Sequence, residues 1–411
     1  MSQHDPLGQA LRRKAAEVGS EPQLTLEDVK GRARGIRRRR LAVSGLATAA
    51  VLAVAVPVGL TLGPDGGARP DTPPAASPTV RTTDSPTPSG TGRPVTGRKV
   101  LLTTQVEARG GEPQIPYVFD GAINLPDGSQ VPVSADYSQV AALGDGWVAV
   151  RDGFVDRLDA TGSVTASEPG SGPLAVTADG SIVVYTTPEG ALMSLSAGAE
   201  PLAVTAAADA VPSAVPVGVL GSGTCQEGAD GDGCTVYYND PGQRPRGLLA
   251  SSHGITERVG DLLSVGGVAR DGRVDGIVSV TDQGSCSVML EPNGDVAWRT
   301  CAHTLGAFSP DGRLVLGHPA YRDGIGDGSL AILDAVTGAV LVDYVNDATT
   351  QAFLHTAVWD ADGTVLATVF ARGSWSLMRM TSQGDLSNVS GGGLAGGSDE
   401  TSPPLAFAAR P

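Results

Sequence analysis

Two kinds of glycine-containing turn recur through residues 99–411, each at a spacing of about 43 residues. The first is an Asp-Gly pair, found at Asp145-Gly146, Asp179-Gly180, Asp271-Gly272, Asp311-Gly312 and Asp362-Gly363, with a degenerate Gly221-Ser222-Gly223 between them. The second is found at Asp127-Gly128, Thr161-Gly162, Gly198, Gly242, Asn293-Gly294, Thr337-Gly338 and Gln383-Gly384. Short apolar runs separate the turns, and a four-stranded propeller blade takes about 40–45 residues. The region is therefore predicted to be an all-β propeller.

Each repeat is predicted to supply four strands, named a to d from the inside of the ring outward. The clearest repeat has a at Leu305–Pro310, b at Arg313–Gly317, c at Ser329–Asp334 and d at Ala339–Val345. Six such units fit between about 139 and 390. The residues before them give b at Lys99–Gln105, c at Tyr117–Asn124 and d at Ser129–Ser134, without strand a. Pro404–Ala408 is predicted to supply the missing strand and to close seven blades; six blades remain the alternative.

Two segments carry a family resemblance. The run Phe308–Leu314 (FSPDGRL) resembles the repeat signature of WD-repeat-like and TolB-like β-propellers, and Ala331–Gly338 is similar to the strand-turn segment of quinoprotein-type repeats. The resemblance implies the propeller fold but no single activity, because propellers host many functions. A tryptophan follows the Thr-Gly of quinoprotein-type repeats, whereas Val340–Val342 stands here. No cofactor is predicted.

A membrane anchor is predicted before the propeller. Leu41–Leu62 contains no charged residue, and about 20 such residues span a bilayer as a helix. Seven Lys and Arg residues between Lys30 and Arg40 precede it, which places the N-terminus in the cytoplasm. A single-pass protein of the cell membrane with an extracytoplasmic C-terminal domain is expected. A signal peptide cleaved near Ala53-Val54-Ala55 and a buried core helix are the alternatives.

The residues on either side of the span differ in character. Residues 63–98 contain eight prolines and ten Ser or Thr, so a disordered linker is expected. Residues 1–40 are basic, with helix-capping spacing at Thr25 and Asp28. They are predicted to be a short cytoplasmic helical segment that either lies on the membrane surface or binds a cytoplasmic protein partner.

The four cysteines are expected to form two local disulfides, because all of them follow the predicted span. Cys286 and Cys301 are symmetric about the turn at Asn293-Gly294 and should face each other on strands c and d. Cys225 and Cys234 bracket Gln226–Gly233, which is assigned to a loop between b and c. A zinc site built from four thiolates is disfavoured because the usual close pairing of ligands is missing.

No catalytic motif is present: the sequence lacks a Gly-x-Ser-x-Gly elbow, a P-loop and His-Glu-x-x-His. In a propeller the d–a and b–c loops open on one face, which would carry His253, His303, His318 and His355. A shared metal site and structural hydrogen bonding are both open for these histidines. The predicted ligand-contact residues on this face are His318, Tyr321, Arg322, Asp323, Asp327, Glu227, Asp230 and Asp232.

These features favour a non-enzymatic binding module that is tethered to the membrane and contacts an unknown protein or ligand of the cell envelope. The net charge of −15 argues against a nucleic-acid partner. The alternative is a transmembrane signal transducer, since the layout resembles that of anti-sigma-factor-type regulators, although residues 1–40 contain His4 and no cysteine for the zinc-binding pattern of many such regulators. A metal-dependent hydrolase using the central channel is a third hypothesis.

Overall fold

The computed structural model describes residues 97–108, 111–205, 210–228, 231–252, 254, 256–322, 326–346, 349, 351–390, 393–394 and 400–409. The predicted cytoplasmic segment 1–40 and span 41–62 lie outside these ranges, as does the linker 63–98 except for its last two residues. Within the described ranges the regular structure is entirely β. Those ranges include no helix that is long and apolar enough to cross a membrane.

The strands form seven blades, each with four strands that run in order from the inner strand a to the outer strand d. Blade 1 contains β31 (Leu405–Phe407), β2 (Tyr117–Phe119), β3 (Ala122–Asn124) and β4 (Gln130–Pro132). Blade 2 contains β5 (Gln139–Leu143), β6 (Gly146–Arg151), β7 (Phe154–Leu158) and β8 (Val164–Pro169). Blade 3 contains β9 (Ser171–Val176), β10 (Ile182–Thr186), β11 (Leu192–Ser196) and β12 (Leu202–Ala203).

Blade 4 contains β13 (Val215–Gly221), β16 (Cys234–Asp240), β17 (Arg246–Ser251) and β18 (Thr256–Arg258). Blade 5 contains β19 (Ser264–Val268), β20 (Val274–Thr281), β21 (Gly284–Leu290) and β22 (Val296–Thr300). Blade 6 contains β23 (His303–Phe308), β24 (Leu314–Pro319), β25 (Ser329–Asp334) and β26 (Val340–Val345), with β1 (Arg98–Leu101) added outside β26. Blade 7 contains β27 (Phe353–Trp359), β28 (Val365–Ala371), β29 (Ser374–Met380) and β30 (Leu386–Asn388).

The ring closes in blade 1, where the last described strand supplies the inner position. In β31, Leu405 lies opposite Phe119 and Phe407 lies opposite Tyr117 of β2. Leu405 and Phe407 are also buried against Leu366 and Leu377 of blade 7. The predicted closure by Pro404–Ala408 and the seven-bladed count are therefore confirmed.

The repeated Asp-Gly turn has a local chemical cause. In blade 6 the Asp311 carboxylate accepts hydrogen bonds from the Ser309 hydroxyl at 2.6 Å and the Arg313 amide at 3.1 Å. Gly312 has φ 70°, a conformation that favours glycine because it has no Cβ. The same Asp pattern recurs at Asp179 of blade 3, which bonds Thr177 and Ser181. Each such motif reverses the chain between strands a and b.

Aromatic side chains join neighbouring blades through polar contacts as well as apolar packing. The indole N–H of Trp298 donates to the Ala335 carbonyl at 3.0 Å, and that of Trp359 donates to the Ala307 carbonyl at 2.8 Å. The Tyr344 hydroxyl in blade 6 donates to main-chain carbonyl oxygens of blade 7, including that of Thr381 at 2.7 Å. The rings of Trp359 and Tyr344 are buried and that of Trp298 is partly buried, while their N–H and O–H groups remain satisfied.

The segment before blade 1, residues 97–116, is held against two other blades. β1 pairs in parallel with β26, with Arg98 opposite Val342 and Leu101 opposite Val345. Further along, the Gln114 amide donates to Asp360 of blade 7 at 2.8 Å. The chain therefore passes from the outer edge of blade 6 across blade 7 before it enters blade 1 as β2. We call residues 97–116 the N-terminal strap.

The prediction that Lys99–Gln105 forms strand b of the first blade is wrong. Strands b and c are instead β2 and β3, which a two-residue turn at Asp120 and Gly121 connects. Both turn residues have positive φ, 51° and 71°, as a type I′ hairpin turn requires. The Asp-Gly pair at these positions is the sequence signal that identifies this hairpin.

Both predicted disulfides form, and the four cysteines are thereby all paired. Cys286 lies in β21 and Cys301 directly follows β22, with Cα atoms 4.0 Å apart. Cys225 and Cys234 close the connection between β13 and β16, so this loop joins strands a and b, and its predicted place between b and c is wrong. The physical reason is that two short strands, β14 (Glu227–Gly228) and β15 (Gly231–Asp232), are inserted in that turn.

Candidate functional site

The connections between strands lie at the two ends of the ring. The a–b and c–d turns lie at one end, which we call the turn end, and the b–c and d–a connections lie at the other, the loop end. In blade 6 the b–c connection between β24 and β25 is long, and Tyr321 in it is 42% exposed. This connection, residues 320–328, contains four of the eight predicted contact residues, namely Tyr321, Arg322, Asp323 and Asp327. We call it the blade 6 loop.

Backbone hydrogen bonds hold the blade 6 loop to both neighbouring blades. At its start, the Ala320 carbonyl accepts from the Ser285 amide of blade 5 at 2.8 Å. Near its end, the Asp327 amide donates to the Leu354 carbonyl of blade 7 at 2.7 Å, and the Leu354 amide donates back at 2.9 Å. Because both ends are fixed, Tyr321 and Arg322 are presented from a defined position.

Three predicted contact residues meet at the Asp327 carboxylate. His318 Nδ1 lies 2.7 Å from Oδ2, and Arg322 Nε lies 2.9 Å from Oδ1. Asp327 is only 7% exposed, whereas the Arg322 side chain is about half exposed. The buried carboxylate therefore orients Arg322 at the surface beside Tyr321. Asp323 lies outside the described residues.

A second histidine lies behind this group. Burial lowers the pKa of His303, the nearby His318 lowers it further, and the Asp343 carboxylate opposes the shift. Gly317 makes room for the His303 ring, since a Cβ at Gly317 would lie 3.2 Å from its Cβ and Cγ. His303 is thus held neutral beneath the loop at neutral pH.

His303, His318 and His355 all lie toward the loop end, as the sequence predicted, whereas His253 is outside the described residues. They do not form one cluster of ligands, because the contacts of His355 are with Thr356 and the Trp375 ring of blade 7. Among the residues that the structure describes, no group of three or more His, Cys, Asp or Glu side chains could hold a metal ion.

The acidic residues predicted for the same face are placed elsewhere. Glu227 and Asp232 belong to β14 and β15 in an a–b connection, which opens at the turn end. Asp230 lies outside the described residues. The prediction that the two loops share a face is wrong, because the inserted hairpin occupies the a–b connection of blade 4, one connection before its predicted place.

A channel of about 1170 Å³ runs between the inner strands. Small side chains such as Ala307 and Ala406 form part of its wall, and His355 lies toward the loop end. At the turn end Arg270 of blade 5 donates to the Ala178 carbonyl of blade 3 at 3.3 Å. At that end of the channel, the Arg270 side chain therefore bridges two blades that are not adjacent in the ring.

Substitution of Gly326 is expected to detach the blade 6 loop. Gly326 has φ 71°, and a Cβ there would lie 2.6 Å from the Leu354 carbonyl oxygen. In Gly326→Ala the two hydrogen bonds between Asp327 and Leu354 should open about tenfold more often, a cost of roughly 1.4 kcal/mol. Hydrogen exchange at these two amides measures the change.

Gly328→Ala is the matched control, because a Cβ there would meet only the Asn346 side chain at an ordinary 3.7 Å. Equal exchange rates in the two variants would show that the Gly326 conformation does not hold the loop.

No protein-family model matches the sequence, and no curated protein matches it. Among solved structures, the chain is similar to the Cps50 (Swd1) β-propeller domain of Myceliophteria thermophila, with 11% identity, a TM-score of 0.43 and coverage of 62% of this chain and 85% of that chain. It is also similar to a quinonprotein alcohol dehydrogenase-like protein from Bacteroides thetaiotaomicron VPI-5482, with 10% identity, a TM-score of 0.45 and coverage of 72% and 76%. A third similar structure is described as the eukaryotic initiation factor, with 13% identity, a TM-score of 0.42 and coverage of 76% and 93%. These likenesses concern the propeller fold alone.

Proposed function

We propose that this protein is a membrane-tethered, extracytoplasmic β-propeller that binds a protein or ligand of the cell envelope without catalysing a reaction. The contact surface is the loop end of blade 6, with Tyr321 and Arg322 at its centre. The observation that carries the proposal is the blade 6 loop, which main-chain hydrogen bonds fix to blades 5 and 7 while Tyr321 and Arg322 stay exposed. A fixed loop lowers the entropy lost on binding.

The disulfides support an extracytoplasmic location. Two pairs use all four cysteines of the chain, and disulfides persist in oxidising compartments but are rare in the cytoplasm. The uncharged run Leu41–Leu62 and its basic flank supply the proposed single span with a cytoplasmic N-terminus.

The path of β1 shows at which end of the ring the chain enters the propeller. Strand d of each blade runs from the turn end to the loop end, and β1 is parallel to β26. The chain from the proposed span and linker therefore joins the propeller at the turn end of blade 6. The proposed contact surface lies at the opposite end of the same blade, away from the point of attachment.

Site-specific photocrosslinking in cells tests this proposal. A photoreactive amino acid is placed at Tyr321 or, as the control, at Val336, which is 67% exposed at the turn end of the same blade. We expect crosslinks to an envelope component from position 321 and not from 336. In a separate affinity-capture assay with tagged protein, Tyr321→Ala should abolish capture of the same component without shifting the unfolding midpoint. Capture that is equal at both positions, or that survives Tyr321→Ala, would contradict the loop assignment.

A probe within residues 1–40 distinguishes the transducer alternative. Crosslinks from that segment to a transcription regulator would favour signalling, with the propeller as the sensor. Crosslinks from the propeller alone would favour the binding module with a simple anchor.

A further inference from the structure

Asp275 is a fully buried acidic residue for which the proposed function has no use. It is the second residue of β20, lies opposite Gly267 of β19 and Met289 of β21, and is 0% exposed. Among the residues that the structure describes, none makes a hydrogen bond of good geometry to either of its carboxyl oxygens. An isolated buried carboxylate is costly. The carboxyl group must therefore either keep its proton or bind a cation.

Two glycines provide the space that this carboxyl group occupies. A Cβ on Gly266 would collide with Oδ1, and a Cβ on Gly267 would lie 3.0 Å from Oδ2. The Gly266–Gly267 segment is the irregular part of β19, where the pairing with β20 shifts register. The backbone of the two glycines therefore lies directly beside the carboxyl group.

The other neighbours of this space are main-chain oxygens of blade 6. The same Cβ positions lie 2.5 Å from the Leu305 carbonyl oxygen and 2.6 Å from that of Gly306. Carbonyl oxygens only accept hydrogen bonds, so they would repel a carboxylate and attract a carboxylic acid. Burial accordingly raises the pKa of Asp275 well above its usual value, and the nearby Gly267 amide opposes this only in part.

We propose that Asp275 is a neutral carboxylic acid whose O–H links the inner strands of blades 5 and 6, so that this junction weakens as the pH rises. The acceptor is the Leu305 or Gly306 carbonyl oxygen of β23. The arrangement adds a proton-dependent contact between two blades beside the central channel.

Charged groups on the surrounding strands do not account for this environment. β19 contains no titratable residue, and the only cysteine of β21 is in a disulfide. β23 carries His303 two residues before Leu305, and Arg270 follows β19 at the channel. Neither contributes to the shift at Asp275, which burial dominates.

The pH dependence has a defined sign. Above the usual pKa near 3.8, the unfolded chain loses the Asp275 proton while the folded chain retains it. The equilibrium constant for unfolding should therefore rise by up to about tenfold per pH unit until the folded group also ionises. Asp275→Asn keeps a hydrogen-bond donor for the carbonyl oxygens but cannot ionise. The loss of stability with rising pH that Asp275 causes should therefore be absent from this variant.

Chemical unfolding of the full-length protein between pH 4 and 9 tests the proposal. We expect Asp275→Asn to gain stability over the wild type as the pH rises, whereas Asp282→Asn, at an exposed turn of the same blade, should follow the wild type. An infrared band from a protonated carboxyl group at neutral pH, absent from Asp275→Asn, provides a readout that is independent of stability.

Parallel pH profiles for the wild type and Asp275→Asn would overturn the proposal. Stabilisation of the wild type, but not of Asp275→Asn, by added Na⁺, K⁺ or Ca²⁺ would also overturn it, because that result would identify a bound cation in place of the proton.

Discussion

Replacement of Arg379 by methionine is expected to lower the free energy of unfolding by about 3–5 kcal/mol. The guanidinium lies 2.9 Å from Asp360, whose side chain is completely buried. Arg379 also donates to the Gly111 and Glu112 carbonyls of the N-terminal strap at 3.0 and 3.2 Å. Its removal leaves a buried carboxylate without its cation and removes two of the hydrogen bonds that hold the strap to blade 7.

Urea unfolding of Arg379→Met measures this loss, with Arg246→Met as its control. Arg246 also pairs with an aspartate, Asp240, at 2.9 Å, but its side chain is 46% exposed. Exposed pairs contribute about 0–1 kcal/mol. If the two variants lose equal stability, the buried pair does not hold the strap.

Ending the chain after Pro403 is expected to abolish cooperative folding of the propeller. This truncation removes β31, so β2 loses its inner partner and blade 7 loses the apolar side chains that cover it. Phe407 is only 6% exposed, and loss of a buried phenylalanine alone costs about 3–5 kcal/mol. An open strand edge in blade 1 should also promote aggregation.

A peptide of residues 404–411 added to the truncated protein tests the cause. It should restore a sharp unfolding transition by strand addition, and a peptide with Phe407 replaced by aspartate should not. An unchanged midpoint in the truncated protein would show that β31 is dispensable for closure.

The parts of the fold that local chemistry determines could be predicted from the sequence. Asp311-Gly312 and its equivalents determine where the chain reverses, and their spacing gives the blade count. The pairing of Cys286 with Cys301 follows from their symmetry about a turn. The apolar strand at Leu405–Phe407 could be assigned because only the inner strand of blade 1 was still missing from the ring.

The errors have physical reasons as well. β1 pairs with β26 at the outer edge of a distant blade, and parallel edge pairing leaves no local sequence signal. The Asp120-Gly121 hairpin does carry such a signal, but its apolar flanks also fit the interior of one longer strand. In blade 4, β14 and β15 are inserted between strands a and b. The connection that contains them, predicted to join strands b and c, therefore joins strands a and b instead.

The candidate site could be predicted in part for similar reasons. His318, Arg322 and Asp327 are near one another in sequence, and the structure brings them into contact. The hydrogen bond from the Ser285 amide to the Ala320 carbonyl, and the two between Asp327 and Leu354, depend on how neighbouring blades pack. Asp275 carries no sequence signal, because its environment is formed by glycines and carbonyl oxygens of two blades.

The N-terminal strap also determines the order in which the ring can be completed during synthesis. Gln114 bonds Asp360, which is made 246 positions later, and Arg98 bonds Gln383, which is made 285 positions later. Blades 2 to 5 can form as the chain emerges, and β2 to β4 can pair with one another, while the strap and the inner edge of β2 remain unpaired. An interrupted chain would therefore expose unpaired edges at both ends of the nascent ring, and a holdase that covers β2 to β4 would be most useful until the final strand arrives.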